Sequence, residues 1–121
     1  MKNLILILLF LSALAACNSS KDEKKEPADI SQDPVYQKGL ALVTANKCFQ
    51  CHQIEGTLTG PGYREIAIKY TGASDAVVTD LAKKIIGGSN GVWGEIFMTP
   101  HPNVTEEDAK AMVKYVLLLK K

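Results

Sequence analysis

Apolar residues return every three or four positions over most of the chain after residue 33, which is the spacing of a buried helix face. This pattern predicts helices over about 34–46, 63–70, 75–86 and 106–119. No run alternates between apolar and polar residues with the period of a strand, so the glycine- and proline-rich segments 56–62 and 87–103 are predicted loops. The sequence therefore predicts an all-α domain.

Residues that favour helix ends stand at the predicted boundaries. Asp33 precedes Pro34 as an N-cap before a first-turn proline, Ser74 can cap the third helix, and Thr105 can cap the last. Within the helices, Gly39 on the first and Tyr115 on the last allow two interpretations. The two helices cross closely at the glycine, or the first helix merely tolerates it at a cost of about 1 kcal/mol.

The first 17 residues have a different pattern, with a lysine, an unbroken apolar run and small residues before a cysteine. The apolar run is shorter than the roughly 20 residues that span a bilayer, so 1–17 is a predicted export signal. Its last four residues, Leu-Ala-Ala-Cys, resemble the lipobox of bacterial lipoproteins, which implies a diacylglyceryl group on Cys17 and cleavage before it. Ordinary signal cleavage near Ala16, with Cys17 left as a free thiol, is the alternative.

Residues 18–33 contain one large apolar side chain, Ile30, and are predicted to form a disordered charged tether. The domain is then 34–121, with ten basic and eight acidic residues, within a chain that has 14 basic and 13 acidic residues. This balance predicts no strongly basic surface, so no nucleic-acid partner is expected. A domain this short has a small core, which a cofactor, metal or disulfide often supplements.

Cys48, Cys51 and His52 form a C-x-x-C-H motif, the attachment signature of a c-type haem. Two thiols three positions apart can reach the two vinyl groups of one porphyrin, and the adjacent imidazole then falls beneath the iron as an axial ligand. Export would bring the chain to the compartment where bacterial haem is attached. Three alternatives are a redox pair, although the expected βαβ pattern is absent, a zinc site that also needs His101, and a plain disulfide.

A low-spin electron-transfer haem needs a second axial ligand, and a thioether there raises the reduction potential. Met98 lies in a predicted irregular loop in which prolines stiffen the backbone, so it is the expected ligand. Met112 lies on the apolar stripe of the last helix and is expected in the core. His101 is the rival ligand, but its position between two prolines favours a surface group or one that contacts a ligand.

At this point the motifs resemble those of the short, single-haem class I bacterial cytochromes c. The resemblance covers the whole of 34–121 and is carried, in order, by CFQCH at 48–52, GPGY at 60–63, GGSNGVWG at 87–94 and MTPHP at 98–102. It implies a compact fold of about four helices around one covalent haem c, with His52 and Met98 axial. It also implies that the Pro61 carbonyl binds the free nitrogen of His52 and that Trp93 binds a haem propionate.

The resemblance implies an electron carrier, not an enzyme, that docks transiently with redox proteins and has no small-molecule substrate. The signal and Cys17 predict a membrane-anchored lipoprotein that faces the periplasm or the outer cell surface. Two other functions stay open from the sequence. One is an electron-port subunit of a larger respiratory oxidase, reductase or dehydrogenase, and the other is a haem sensor in which Met98 is not a ligand.

Overall fold

The computed structural model describes residues 29–121, and these residues form a mostly helical fold, as the sequence predicts. The α-helices of this part of the chain are α1 (Pro34–Ala45), α2 (Tyr63–Lys69), α3 (Asp75–Gly87) and α4 (Glu106–Leu118). None of the helices in 29–121 is long and apolar enough to cross a membrane. The predicted signal at 1–17, with Cys17, and most of the predicted tether lie outside the described residues.

Side chains at the predicted caps fix where the helices begin. Asp33 accepts a hydrogen bond from the Val35 N–H at 2.7 Å, and Thr105 accepts one from the Asp108 N–H at 3.1 Å. Each bond satisfies a donor that the first turn of a helix leaves without a partner. The helix starts that these residues predict are therefore confirmed.

The core is centred on α4, which packs against α1, α2 and α3. Its largest fully buried side chains are Met112 and Tyr115, each 1% exposed. Gly39 of α1 lies against Tyr115 so closely that a Cβ added there would overlap the Tyr115 Cβ and lie 2.9 Å from the Ala111 carbonyl oxygen. The close helix crossing, one of the two interpretations of Gly39, is thus the correct one.

The predicted loop 87–103 is wrong in part, because it contains an antiparallel hairpin of β1 (Ser89–Gly91) and β2 (Gly94–Met98). The first strand, Ser-Asn-Gly, has no apolar residue whose alternation could reveal it. Gly91 and Gly94 adopt φ values of 83° and 106°, which few other residues tolerate, and they reverse the chain. Met98 consequently lies at a strand end that pairs with Ser89, rather than in an irregular loop.

The last residues of the predicted tether are ordered. A 3₁₀ turn, Ile30–Gln32, precedes α1, and Ile30 packs against the core. Asp29 caps this turn by accepting a hydrogen bond from the Ser31 N–H at 3.0 Å. The single large apolar side chain of the tether therefore extends the folded part a few residues before Pro34.

Candidate cofactor site

The C-x-x-C-H motif folds into one tight turn directly after α1. Lys47 takes the left-handed conformation, with φ 58°, and the 3₁₀ helix Cys48–Gln50 follows. The Cys48 carbonyl accepts hydrogen bonds from the N–H groups of Cys51 and His52 at 3.2 and 3.0 Å. The two thiols are free rather than joined in a disulfide, so both are available to a cofactor.

The His52 ring is held in one orientation from several sides. Its Nδ1 donates a hydrogen bond to the Pro61 carbonyl at 2.7 Å, the pairing that the resemblance implies. Because a carbonyl only accepts, the proton is on Nδ1, and Nε2 keeps a lone pair for a metal. Gly60 leaves room for the ring, since a Cβ there would lie 2.6 Å from His52 Cε1.

Tyr63 completes the support of His52, and sequence reasoning missed this role. The two rings stack with centroids 5.5 Å apart and planes inclined by 21°, and Tyr63 is only 3% exposed. Burial raises the pKa of Tyr63 far above its ordinary value, so no phenolate charge develops beside the imidazole. The only sequence signal was the tyrosine in GPGY, whose contact with the imidazole depends on how 53–62 folds back.

The turn borders a cavity of about 460 Å³, lined mostly by apolar side chains. All six predicted cofactor residues line it, and they are Cys48, Cys51, His52, Pro61, Trp93 and Met98. The rival ligand His101 and the core residue Met112 line it as well. The structure therefore brings the candidate residues from three separate parts of the sequence to one site.

This site fits a covalent haem. The donor set consists of two free thiols on one turn, an imidazole with a free Nε2 and a thioether. Val92, Trp93 and Ile96 are 41%, 43% and 63% exposed, and all three line the cavity. Such large apolar side chains form a wall that an apolar ring system would cover.

Polar groups accompany the apolar wall on the hairpin side of the cavity. Lys84, Ser89 and Asn90 line it, and the Lys69 ammonium lies 5.2 Å from the centroid of the Trp93 ring. Because opposite charges attract, lysines near one side of an otherwise apolar cavity favour binding of a ligand with its carboxylates on that side. Sequence reasoning missed Lys69 and Lys84, because a lysine on a helix usually belongs to a solvated face.

The structure argues against the three alternatives for the motif. Within 29–121, no three His, Cys, Asp or Glu side chains come together as metal ligands, which removes the zinc site that needed His101. Burial is the main cause that raises the pKa of the Cys48 thiol, whereas reactive thiols of redox pairs have lowered pKa values. The cysteines are also not bonded to each other.

Comparison with known proteins supports the same conclusion. The family model described as Cytochrome c matches residues 36–120. Cytochrome c-552 of Nitrosomonas europaea is 49% identical over 84 residues, 69% of this chain and 81% of that protein. Cytochrome c-551 of Stutzerimonas stutzeri is 44% identical over 89 residues, 74% and 84% of the two chains. The crystal structure of wild-type Nitrosomonas europaea cytochrome c552 superposes with a TM-score of 0.61 at 48% identity, covering 66% of this chain and 98% of that one.

Proposed function

The chain belongs to the cytochrome c family, and from that membership we propose that it carries single electrons through a haem iron bound axially by His52 and Met98. Its relatives are small cytochromes c-551 and c-552, which are electron carriers rather than enzymes. Its cofactor is one covalently bound haem c, in keeping with Cys48 and Cys51 in the motif. The observation that carries the axial assignment is that His52, with Nε2 free, and Met98 line the same cavity.

The bound haem supplies a one-electron couple between ferric and ferrous iron. Cys48 and Cys51 would hold it through thioether bonds, which would keep the cofactor in place in both redox states. The Pro61 carbonyl fixes the His52 tautomer and makes the ring a better donor. The apolar walls keep water away and, with a thioether ligand, favour the less charged state and a higher potential.

Trp93 has a separate proposed role, which is to donate its indole N–H to a haem propionate. Its ring lines the cavity, and Lys69 lies close to it. A cation next to the indole favours a carboxylate at this place. The alternative, an indole that merely fills the core, fits less well with a side chain that is 43% exposed.

Leucine at each of the two cavity methionines tests the ligand assignment. Met98→Leu is expected to abolish the near-infrared charge-transfer band from thioether sulfur to ferric iron and to lower the reduction potential, because the sulfur ligand is gone. Met112→Leu is the matched control, since leucine fills nearly the same volume, and it should keep the band. A band that survives in Met98→Leu and disappears in Met112→Leu would assign the ligand to α4.

We further propose that the chain is exported and anchored to a membrane through lipid on Cys17, with 18–28 as the connecting tether. The apolar run and the Leu-Ala-Ala-Cys tetrapeptide support this proposal. Two or more acyl chains hold a protein stably, whereas a single chain binds only marginally. The anchor would keep the haem domain near membrane-bound redox proteins.

Cell fractionation tests the anchor. The wild-type chain is expected in the membrane fraction until detergent is added, whereas Cys17→Ser should move most of the protein out of it, because serine cannot carry the thioether-linked diacylglyceryl group. Ser20→Ala, three residues further on, is the matched control and should remain membrane-bound. Equal partitioning of Cys17→Ser and the wild type would contradict the lipid anchor.

We propose transient docking with redox proteins as the way in which electrons enter and leave. The domain 34–121 has ten basic and eight acidic residues, so two haem propionates would bring it close to neutrality. Long-range electrostatic steering toward one partner is then weak. A small interface that forms and dissociates quickly is usual for such encounters.

A further inference from the structure

The cavity contains a second candidate iron ligand that the proposed function does not use. His101 lies three residues beyond Met98 and lines the same cavity. It is half-buried, whereas its position between two prolines predicts a surface group or one that contacts a ligand. A half-buried imidazole beside a metal cofactor site is a potential ligand, since imidazole is a common ligand of iron.

The backbone fixes His101 firmly in this wall. Its N–H donates to the Ile85 carbonyl at 3.0 Å, and its carbonyl accepts from the Val104 N–H at 3.0 Å. The preceding loop rests on Gly88, where a Cβ would lie 2.7 Å from the Met98 carbonyl oxygen and 3.3 Å from Pro100 Cδ. The segment that carries both donors is therefore packed against the end of α3.

In contrast to its backbone, the His101 ring is not held by a hydrogen bond within 29–121. Among the described residues, no side chain or carbonyl forms a hydrogen bond with its ring nitrogens. The ring nitrogens are also not fully buried. Within 29–121, the fully buried side-chain nitrogen or oxygen without a hydrogen-bond partner is Arg64 Nε, not a nitrogen of His101. His52, held by Pro61, differs from it in this respect.

Other donors that line the cavity are less suited to replace Met98. The Lys84 amine lies 3.2 Å from a carboxylate oxygen of Asp80, so it already has a partner. Imidazole is the commonest metal ligand among protein side chains, and the amines of lysines are not. Met112 is 1% exposed and packed in the core on a helix, so its sulfur has little freedom to move.

We propose that His101 is a reserve axial ligand, which binds the haem iron from the cavity wall whenever the Met98 sulfur leaves it. This inference rests on the proposed function, in which Met98 is the resting ligand. The replacement keeps both axial positions occupied by protein, so small molecules stay off the iron. Because a thioether raises the potential of a haem relative to a second histidine, the exchange also lowers the driving force for accepting electrons.

The spin state of ferric holoprotein variants at neutral pH tests this proposal. Met98→Ala is expected to lose the near-infrared sulfur band but to remain low-spin, with the electron paramagnetic resonance signature of two imidazole ligands. The double variant Met98→Ala/His101→Ala should become high-spin and should bind added cyanide faster than Met98→Ala does. Met98→Ala/Thr99→Ala, which changes a neighbouring cavity residue in the same loop, is the matched control and should stay low-spin.

Two results would overturn the reserve ligand. The first is a high-spin Met98→Ala protein, and the second is a low-spin Met98→Ala/His101→Ala protein, which would assign the replacement to another donor. The near-infrared sulfur band of the wild type shows whether Met98 is the resting ligand, so it distinguishes failure of the reserve ligand from failure of the proposed function. If the wild type lacks the band and the single variant His101→Ala is high-spin, His101 is the resting ligand. Both proposals would then be overturned.

Discussion

Replacing His52 with alanine is expected to abolish the normal low-spin haem protein. His52 is the histidine of the attachment motif, and its Nδ1–H bond to the Pro61 carbonyl leaves Nε2 as the donor on the cavity side. Loss of a group that only supports a metal ligand typically costs roughly 10–100-fold in affinity or activity, so loss of the ligand itself should cost at least that much. Absorption and electron paramagnetic resonance spectra of the purified chain, with the yield of covalent haem, measure the effect.

Gln53→Ala is the matched control, because Gln53 is the exposed neighbour of His52 and its side chain makes only a 3.4 Å hydrogen bond to the Thr57 carbonyl. This variant should give wild-type haem content and spectra. Recovery of an unchanged low-spin spectrum from His52→Ala would overturn the axial assignment.

A second variant covers the case in which His52→Ala yields no protein. Gly60→Ala keeps the imidazole but places a Cβ 2.6 Å from its Cε1, while Pro61 holds the ring from the Nδ1 side. The ring must tilt, so the ligand-field bands and the potential are expected to shift while haem remains attached. Spectra identical to the wild type would show that the ring is not an iron ligand.

The helices were predictable because each has a local signal. Asp33 with Pro34, and Ser74 and Thr105, mark three of the helix starts, and apolar spacing marks the buried faces. The attachment motif is equally local, since its residues are contiguous and fold into a single turn. The sequence therefore indicates the main elements and the proximal side of the candidate site.

The features that the sequence did not reveal depend on tertiary contacts. The strand Ser89–Gly91 has no apolar alternation, and it exists because it pairs with Gly94–Met98. The packing of Tyr63 on His52 needs the chain between them to fold back, through bonds such as the one from the Tyr63 N–H to the Gln53 carbonyl at 2.9 Å. The place of His101 in the cavity wall is a further example, because nothing in Pro-His-Pro shows that its backbone N–H binds the Ile85 carbonyl of α3.

The contact between α1 and α4 is another tertiary feature. It depends on the absence of a Cβ atom at Gly39. Gly39 lies where α1 crosses α4, and the atoms opposite are the Tyr115 Cβ and the Ala111 carbonyl oxygen. Neither atom is the end of a flexible side chain, so a new Cβ can be accommodated only if the helices move apart. Such a movement would loosen the core around Tyr115, which packs edge-on against Tyr36 and Tyr63.

Gly39→Ala is accordingly expected to destabilise the holoprotein by about 2 kcal/mol net, because the clash costs about 3 kcal/mol, the upper end of the usual 1–3 kcal/mol range for overpacking. The clash outweighs the gain of about 1 kcal/mol that alanine brings to a helix interior. In a domain of this size the net loss corresponds to a fall in Tm of roughly 8–16 °C. Thermal and denaturant unfolding, followed by circular dichroism, measure it.

Gly87→Ala is the matched control, because it makes the same substitution at the last residue of α3, where an added Cβ would meet no atom within 4 Å. It should leave the free energy of unfolding unchanged or raise it by up to about 1 kcal/mol, since alanine restricts the unfolded chain more than glycine does. The difference in the free energy of unfolding between the two variants separates steric overlap from the intrinsic effect of the substitution. If Gly39→Ala were as stable as Gly87→Ala, the helices would not cross in contact at residue 39.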